Sequence, residues 1–368
     1  MSPGAQLSRR ARVLVRLPAW LGDFVMSEPV VRALDEWLEP GTGMLTLAAR
    51  PAHLELLDGR FLRARRMDIE RASRARDWRA HDVAFLCTGS LRSAWGAWWA
   101  GIPRRIGFAR DGRGWLLTDA VTAARERGAT PLGLGRHGRG RRFLPRPLER
   151  SLAELLGSVG VPVREARPWL ELQESWLAAA RARRVRLGLG SSEPYLLANV
   201  GARAGSAKGV PGELWSTVLC ELERHTRLPL LLVCGPGEEA AVAQVESRLR
   251  GARAVLDPPA ALPELAALCA EARLFLTSDS GPRHVARAVA AAVLCVAGPT
   301  DPRHTAGERG RETLVRTQVS CGPCHRERCP LAGAERHACM TRIEPERIAT
   351  AALGLLAGAP SVTIPSPP

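Results

Sequence analysis

The second half of this chain is a series of short apolar runs, each closed by a turn and followed by a helical pattern. Runs at 195–200, 229–234, 253–256, 273–277 and 292–297 read as strands, with helical segments at 211–226, 237–250, 262–270 and 282–290 between them. Strands separated by helices of about 10–15 residues cannot pair as hairpins, so each crossover returns the chain to run parallel. A parallel sheet must then be covered by helices on both faces. The first half opens in the same way. Residues 12–17 form an apolar run ending at Pro18, a glycine-bearing loop leads to Asp23, and a helical pattern runs over 25–38. Further strands are expected at 44–48 and 82–87, and helices at 90–100 and 149–158. Trp95, Trp98 and Trp99 have spacings suited to packing on a sheet. The expected class is α/β: two Rossmann-like domains, 1–170 and 171–345, with parallel sheets facing a cleft. A last helix at 345–357 and a Pro-rich tail expected to be disordered make up 346–368.

Composition narrows the partners. A chain of 368 residues suits two domains of about 150–180 residues. With 46% hydrophobic and 24% charged residues it can fill both cores. No apolar run approaches the ~18 residues of a membrane span, and residues 1–12 lack the apolar core of a signal peptide, so a cytoplasmic protein is expected. The net charge of +15 favours anionic partners: nucleic acid, an anionic membrane surface or phosphorylated substrates. A plain arginine bias from a GC-rich genome accounts for much of that excess equally well. Against this background Lys208 stands out as the only lysine. No helix-turn-helix or aromatic-rich RNA motif is evident, and nucleic acid is not an expected partner.

Ligands of open parallel sheets bind beyond the carboxyl ends of the strands. Gly22 there permits a tight turn, and Asp23 heads the next helix, as a catalytic residue or as a capping carboxylate. The loop from Asn199 through Gly201 to Lys208 lets the backbone approach a phosphate and supplies a point charge, although it lacks P-loop spacing. In Thr277-Ser-Asp-Ser-Gly-Pro-Arg-His284, Pro282 suits the first turn of a helix whose free N–H groups attract an anion. Asp279, Ser280, Gly281 and His284 are the candidates on that turn. Asp301, in the turn 298–302, and Glu238, in the turn 234–239, are further donor-side candidates, Glu238 for a ribose hydroxyl. Each of these turns also reads as ordinary structural punctuation.

Taken in order, these segments resemble glycosyltransferase family 9, the lipopolysaccharide heptosyltransferases. The carriers are Val13 to Asp23 with Pro29, Ser90-Leu-Arg-Ser93, Ala100 to Gly107, Gly201 to Lys208, Ser278 to Val285, and Gly298-Pro-Thr-Asp301. The Trp20-Leu-Gly-Asp23 opening and the C-terminal cysteines resemble the heptosyltransferase II branch. The resemblance implies a GT-B fold and inverting transfer of heptose from ADP-heptose to the phosphorylated, lipid-linked inner core (lipid A-Kdo-heptose). It implies Asp23 as base, Lys208 on the diphosphate and the 279–284 turn on the nucleotide. No cofactor is required. The enzyme would work at the inner face of the cytoplasmic membrane, with that anionic surface as a partner. Ser90, Arg92, Arg104 and Arg105 are acceptor-side candidates, joined by five arginines at 136–146 in a basic loop over 128–146. Arg283 and Glu28 depart from the family pattern. Transfer of a different sugar, a basic nucleic-acid-binding module and a non-catalytic scaffold retaining the fold are the competing readings.

The chemistry is consistent with one carboxylate. A glycosidase needs a second to protonate its leaving oxygen, whereas a nucleoside diphosphate leaves without one. Cys321, Cys324, Cys329 and Cys339 suggest a structural zinc site, or reduced thiols or an occasional disulfide in a surface loop. Cys87, Cys220, Cys234, Cys269 and Cys295 read as small core residues.

Overall fold

The computed structural model describes residues 5–71, 75–123, 144–201, 205–305, 311–358 and 363–364. The chain divides into two units. One comprises Met1–Glu171 with Arg303–Glu308, the other Leu172–Pro302 with Arg309–Pro368.

The first unit holds a parallel sheet of β1 (Arg12–Arg16), β2 (Met44–Ala49), β3 (Arg65–Asp68), β4 (Val83–Leu86), β5 (Arg104–Phe108) and β6 (Asp119–Val121), in the order β3-β2-β1-β4-β5-β6. The apolar runs of β1, β2 and β4 were legible because a parallel strand is buried on both faces; Val13, Leu14, Val15, Leu47, Ala84 and Leu86 are all solvent-inaccessible. The helix expected at 25–38 is two helices, Leu21–Met26 and Glu28–Trp37. The break has a local cause: Pro29 has no N–H for the i−4 carbonyl, and Ser27 turns its hydroxyl back to the Asp23 carbonyl at 2.7 Å.

The second unit carries β7 (Leu196–Asn199), β8 (Leu230–Val233), β9 (Ala252–Ala254), β10 (Leu274–Ser278), β11 (Val293–Val296), β12 (Glu312–Val315) and β13 (Thr363–Ile364), ordered β13-β12-β11-β10-β7-β8-β9. Both sheets thus follow the doubly wound order, the first strand beside the fourth. Successive residues feed opposite faces. Leu196, Leu232, Leu276 and Leu294 pack with Trp215 and Ile348 on one face; Leu197, Leu231, Phe275 and Val293 pack with Trp176 and Leu268 on the other. Helix Pro345–Leu356 is therefore part of this core, through Ile348, Ala352 and Leu355. Thr363 and Ile364, expected in the tail, pair with Leu314 and Val315.

Two expectations change here. Trp95, Trp98 and Trp99 do not pack on the sheet: helix Leu91–Trp99 buries Ser93, Ala94 and Ala97 and turns the indoles outward. Cys220 is only half-buried, while Cys87, Cys234, Cys269 and Cys295 are buried. The expected loop at 128–146 falls almost wholly outside the described residues. Of its arginines only Arg146 is described, paired with Glu154 at 2.7 Å.

Candidate functional site

In each doubly wound sheet the ligand position lies at the carboxyl edge where adjacent strands send their connections to opposite faces. The strand orders place it between β1 and β4 in the first sheet and between β7 and β10 in the second.

At the first edge, β1 leads through Trp20 into helix Leu21–Met26, whose first turn carries a half-buried Asp23. The unpaired N–H groups of a helix start favour a carboxylate there. Gly22 lies inside the helix and adopts no left-handed φ, so the expected tight turn at Gly22 is not formed. Arginines surround this edge. Burial pushes the Arg110 guanidinium down, opposed by Asp111 and then Asp23. Burial also lowers Arg16, opposed by Cys87 and reinforced by the positive charges of Arg92 and Arg50. Arg16 ends β1, Arg50 follows β2, Arg92 opens the helix after β4, and Arg110 follows β5. His53 packs on Phe24 with ring centroids 5.0 Å apart, and burial and then Arg50 bring it to about 4, so it is neutral at physiological pH.

Of the acceptor-side candidates, only Ser90 and Arg92 reach this edge. Ser90 caps helix Leu91–Trp99, its hydroxyl oxygen accepting from the Ser93 N–H at 3.3 Å, and its carbonyl accepts from Arg113 at 3.1 Å. Arg104 and Arg105 begin β5, at the opposite ends of the strands. Arg104 binds Asp119 at 2.8 Å, and Arg105 donates to the carbonyls of Leu116 and Ile102, both at 2.6 Å. Arg104 thus ties β5 to β6, Arg105 is spent on backbone carbonyls, and both lie at the strand ends away from Asp23. Arg16, Arg50 and Arg110 were missed. An arginine just past each strand end was the available signal, but for Arg110 it required recognising β5.

At the second edge, the loop after β7 brings Lys208 within electrostatic reach of Asp279, which follows β10. Ala202, Arg203 and Ala204 of that loop are outside the described residues. Helix Gly281–Ala288 starts next, with Ser280 in the N-cap position and Pro282 in the first turn. Arg283 is fully buried, bonded to Asp279 at 2.6 Å and to both Glu312 oxygens at 2.7 and 3.0 Å. Thr300 donates to the other Asp279 oxygen. Burial opposes the charge on Asp279, but Arg283, then Lys208 and His284, with the Thr300 hydroxyl, hold its carboxyl well below the usual range. Both Asp279 oxygens are therefore engaged within the turn that carries Ser280 and Gly281. His284, brought to about 3 by burial and then by Arg283, is a neutral imidazole.

Glu238 lies at the same edge, in the turn after β8. Its Oε2 accepts from the Gly235 N–H at 3.0 Å, and a Cβ on Gly201 would meet that oxygen at 2.3 Å, so this glycine makes room for the carboxylate. Burial raises the Glu238 carboxyl. Asp301, in the turn after β11, is buried.

The four C-terminal cysteines are neighbours: burial and then the thiols of Cys324, Cys321 and Cys329 push Cys339 up to about 11. Among the described residues, however, no group of three or more His, Cys, Asp or Glu side chains is arranged to hold a metal ion. The segment braces the loops that follow β7 and β11. Ala207 N–H donates to the Glu327 carbonyl at 2.7 Å, His325 N–H to the Pro299 carbonyl at 2.8 Å, and a Cβ on Gly298 would meet Cys339 Sγ at 3.0 Å.

This chain is similar to known proteins along most of its length. Residues 71–335 match the family model described as glycosyltransferase family 9 (heptosyltransferase); Asp23 lies ahead of that range. A Campylobacter jejuni lipooligosaccharide heptosyltransferase 2 is 26% identical over 154 residues, 41% of this chain and 48% of the relative, so the match spans about half of that protein. Lipopolysaccharide heptosyltransferase 2 of Escherichia coli K12 is 22% identical over 353 residues, 92% of this chain and 96% of the relative. A solved structure, the E. coli ADP-heptose LPS heptosyltransferase II, has the same fold, with a TM-score of 0.70 at 21% identity, covering 94% of this chain and 99% of its own. With the family model matched over well more than half of its residues, and two doubly wound α/β units of the GT-B kind, the chain belongs to glycosyltransferase family 9.

Proposed function

We propose that this protein is an inverting heptosyltransferase, moving heptose from ADP-heptose to a phosphorylated, lipid-linked saccharide at the inner face of the cytoplasmic membrane. The observation that carries the reading is the placement of Asp23 and Lys208, each at the switch point of its own sheet. The acceptor hydroxyl oxygen attacks the anomeric carbon as the bond from that carbon to the diphosphate oxygen breaks. The hydroxyl proton passes to the Asp23 carboxylate, and the bonding electron pair leaves with ADP. A single displacement inverts the anomeric configuration.

Lys208 and the start of helix Gly281–Ala288 meet the negative charge that develops on the diphosphate. Asp279, through Arg283 and Thr300, holds the turn in place, and Glu238 is set to accept from a ribose hydroxyl. Arg16, Arg50, Arg92 and Arg110 give the acceptor edge a positive field suited to a phosphorylated sugar. No step in this scheme draws on a metal.

The test is turnover. Purified protein is offered ADP-heptose, other ADP-sugars and UDP-sugars, each with heptose-deficient core lipopolysaccharide, and the product is read by mass spectrometry. Heptose addition from ADP-heptose alone supports the reading. Transfer only from another nucleotide sugar would move the chain to a different donor, and salt-sensitive duplex binding without any transfer would favour the nucleic-acid reading.

A further inference from the structure

Helix Leu91–Trp99 presents Trp95, Trp98 and Trp99 to solvent at 45, 42 and 62% exposure. Trp115, on a separate 3-10 turn and 67% exposed, closes edge-on against Trp95 with ring centroids 6.4 Å apart. Trp95 lies 5.1 Å from Trp98 and stacks on Trp99 at 6.4 Å. These rings form one surface drawn from two elements. They do not fill the core, since Ala94 and Ala97 do that on the helix's other side. A contiguous apolar patch exposed on a soluble protein marks a contact surface.

The chemistry of the patch selects its occupant. Indole favours the bilayer–water boundary, with its ring among acyl chains and its N–H among headgroups. The exposed Arg92 stands one turn before Trp95, on a chain whose net charge is +15. An anionic headgroup layer complements that charge. A second copy of the chain would place like charge against like across a two-fold contact.

We propose that Trp95, Trp98, Trp99 and Trp115 form the surface by which this protein seats on an anionic lipid bilayer. The proposal rests on the reading that the acceptor is lipid-linked, and it says where the lipid lies: the indole-bearing helix begins at Ser90–Arg92, at the edge that holds Asp23.

The test uses the full chain and vesicles of phosphatidylethanolamine with phosphatidylglycerol, without acceptor or donor. Wild-type protein floats with these vesicles, its tryptophan emission is quenched by brominated acyl chains, and binding weakens at about 1 M salt, where charge is screened within about 3 Å. The double variant W98Q/W99Q, and separately W115Q on the other element, reduce vesicle binding, the double variant by about tenfold or more. Both keep the wild-type melting temperature and their transfer rate to a delipidated, soluble acceptor. Absence of wild-type vesicle binding, or unchanged binding and quenching in the double variant, overturns the proposal. So does a shift from dimer to monomer in the variants with no change in vesicle binding, which would make the patch a contact between copies. Because vesicle binding is read without sugars, it stands or falls independently of the heptose assay.

Discussion

Arg283 is the most exacting test of the donor-side architecture. It is 2% exposed and neutralises two carboxylates that are themselves almost completely buried, Asp279 at 2% and Glu312 at 7% exposure. Arg283→Met preserves much of the volume but strands both anions. Removing one member of a buried ionic group costs roughly 3–5 kcal/mol. Arg287, 3.7 Å from Glu312, and Lys208 near Asp279 offset part of this. For a unit of this size the loss corresponds to a fall of about 10 °C in melting temperature. The pH dependence gives the sign. In the wild type both carboxyls are held below their ordinary values, so their stabilisation is present above the unfolded pKa and lost as pH falls through the folded one. In the variant, burial is less opposed and the folded pKa values rise, so the remaining carboxylates destabilise most at neutral pH. Calorimetry from about pH 7 to pH 4 therefore shows a deficit that narrows as pH falls. His284, at about 3, stays neutral in the folded wild type across that window, and its unfolded-state protonation near 6.5 is common to both proteins and cancels in the deficit. The triple variant R283M/D279N/E312Q recovers most of the loss. An unchanged melting temperature at pH 7, or a deficit that widens on acidification, refutes the reasoning.

Other outcomes follow from the same contacts. Lys208→Met raises the donor Kd by about ten- to a hundredfold by calorimetric titration, and Lys208→Arg recovers part of it; unchanged affinity removes Lys208 from the diphosphate. Glu28→Ala leaves Arg60, paired at 3.0 Å, and the Trp169 N–H, bonded at 3.0 Å, without their buried acceptor; chemical denaturation then shows a loss of about 3 kcal/mol, and a loss within 0.5 kcal/mol contradicts that account. His284 remains neutral from about pH 5 to pH 8, visible as one unchanging set of imidazole nitrogen shifts by NMR; a titration within that range contradicts its burial beside Arg283.

The sequence made the frame legible where burial is symmetric. The runs at β1, β2, β4, β7, β8, β10 and β11 are apolar on both faces because helices cover both. It concealed the strands that carry charged residues. β3 begins Arg65-Arg66 at the sheet edge, β5 begins with Arg104 and Arg105, each bonded to a neighbour, and β12 carries Glu312, buried only because Arg283 meets it. The Leu91–Trp99 helix misled for a related reason. Large aromatics suggest a core, but the close approach of helix to sheet is made by Ala94 and Ala97. Among the site residues, Lys208 was visible by its uniqueness and Asp23 by its position after the first strand. The anchoring role of Asp279 was not visible, since it depends on a partner four residues later that appeared only as an unusual arginine.

The central claim is that Asp23 takes the acceptor's proton, and Asp23→Asn tests it by removing the charge at nearly constant shape. Donor affinity by calorimetric titration should match the wild type, while kcat for sugar transfer should fall by about 10²–10⁴. Transfer at the wild-type rate by a correctly folded Asp23→Asn protein would contradict the account.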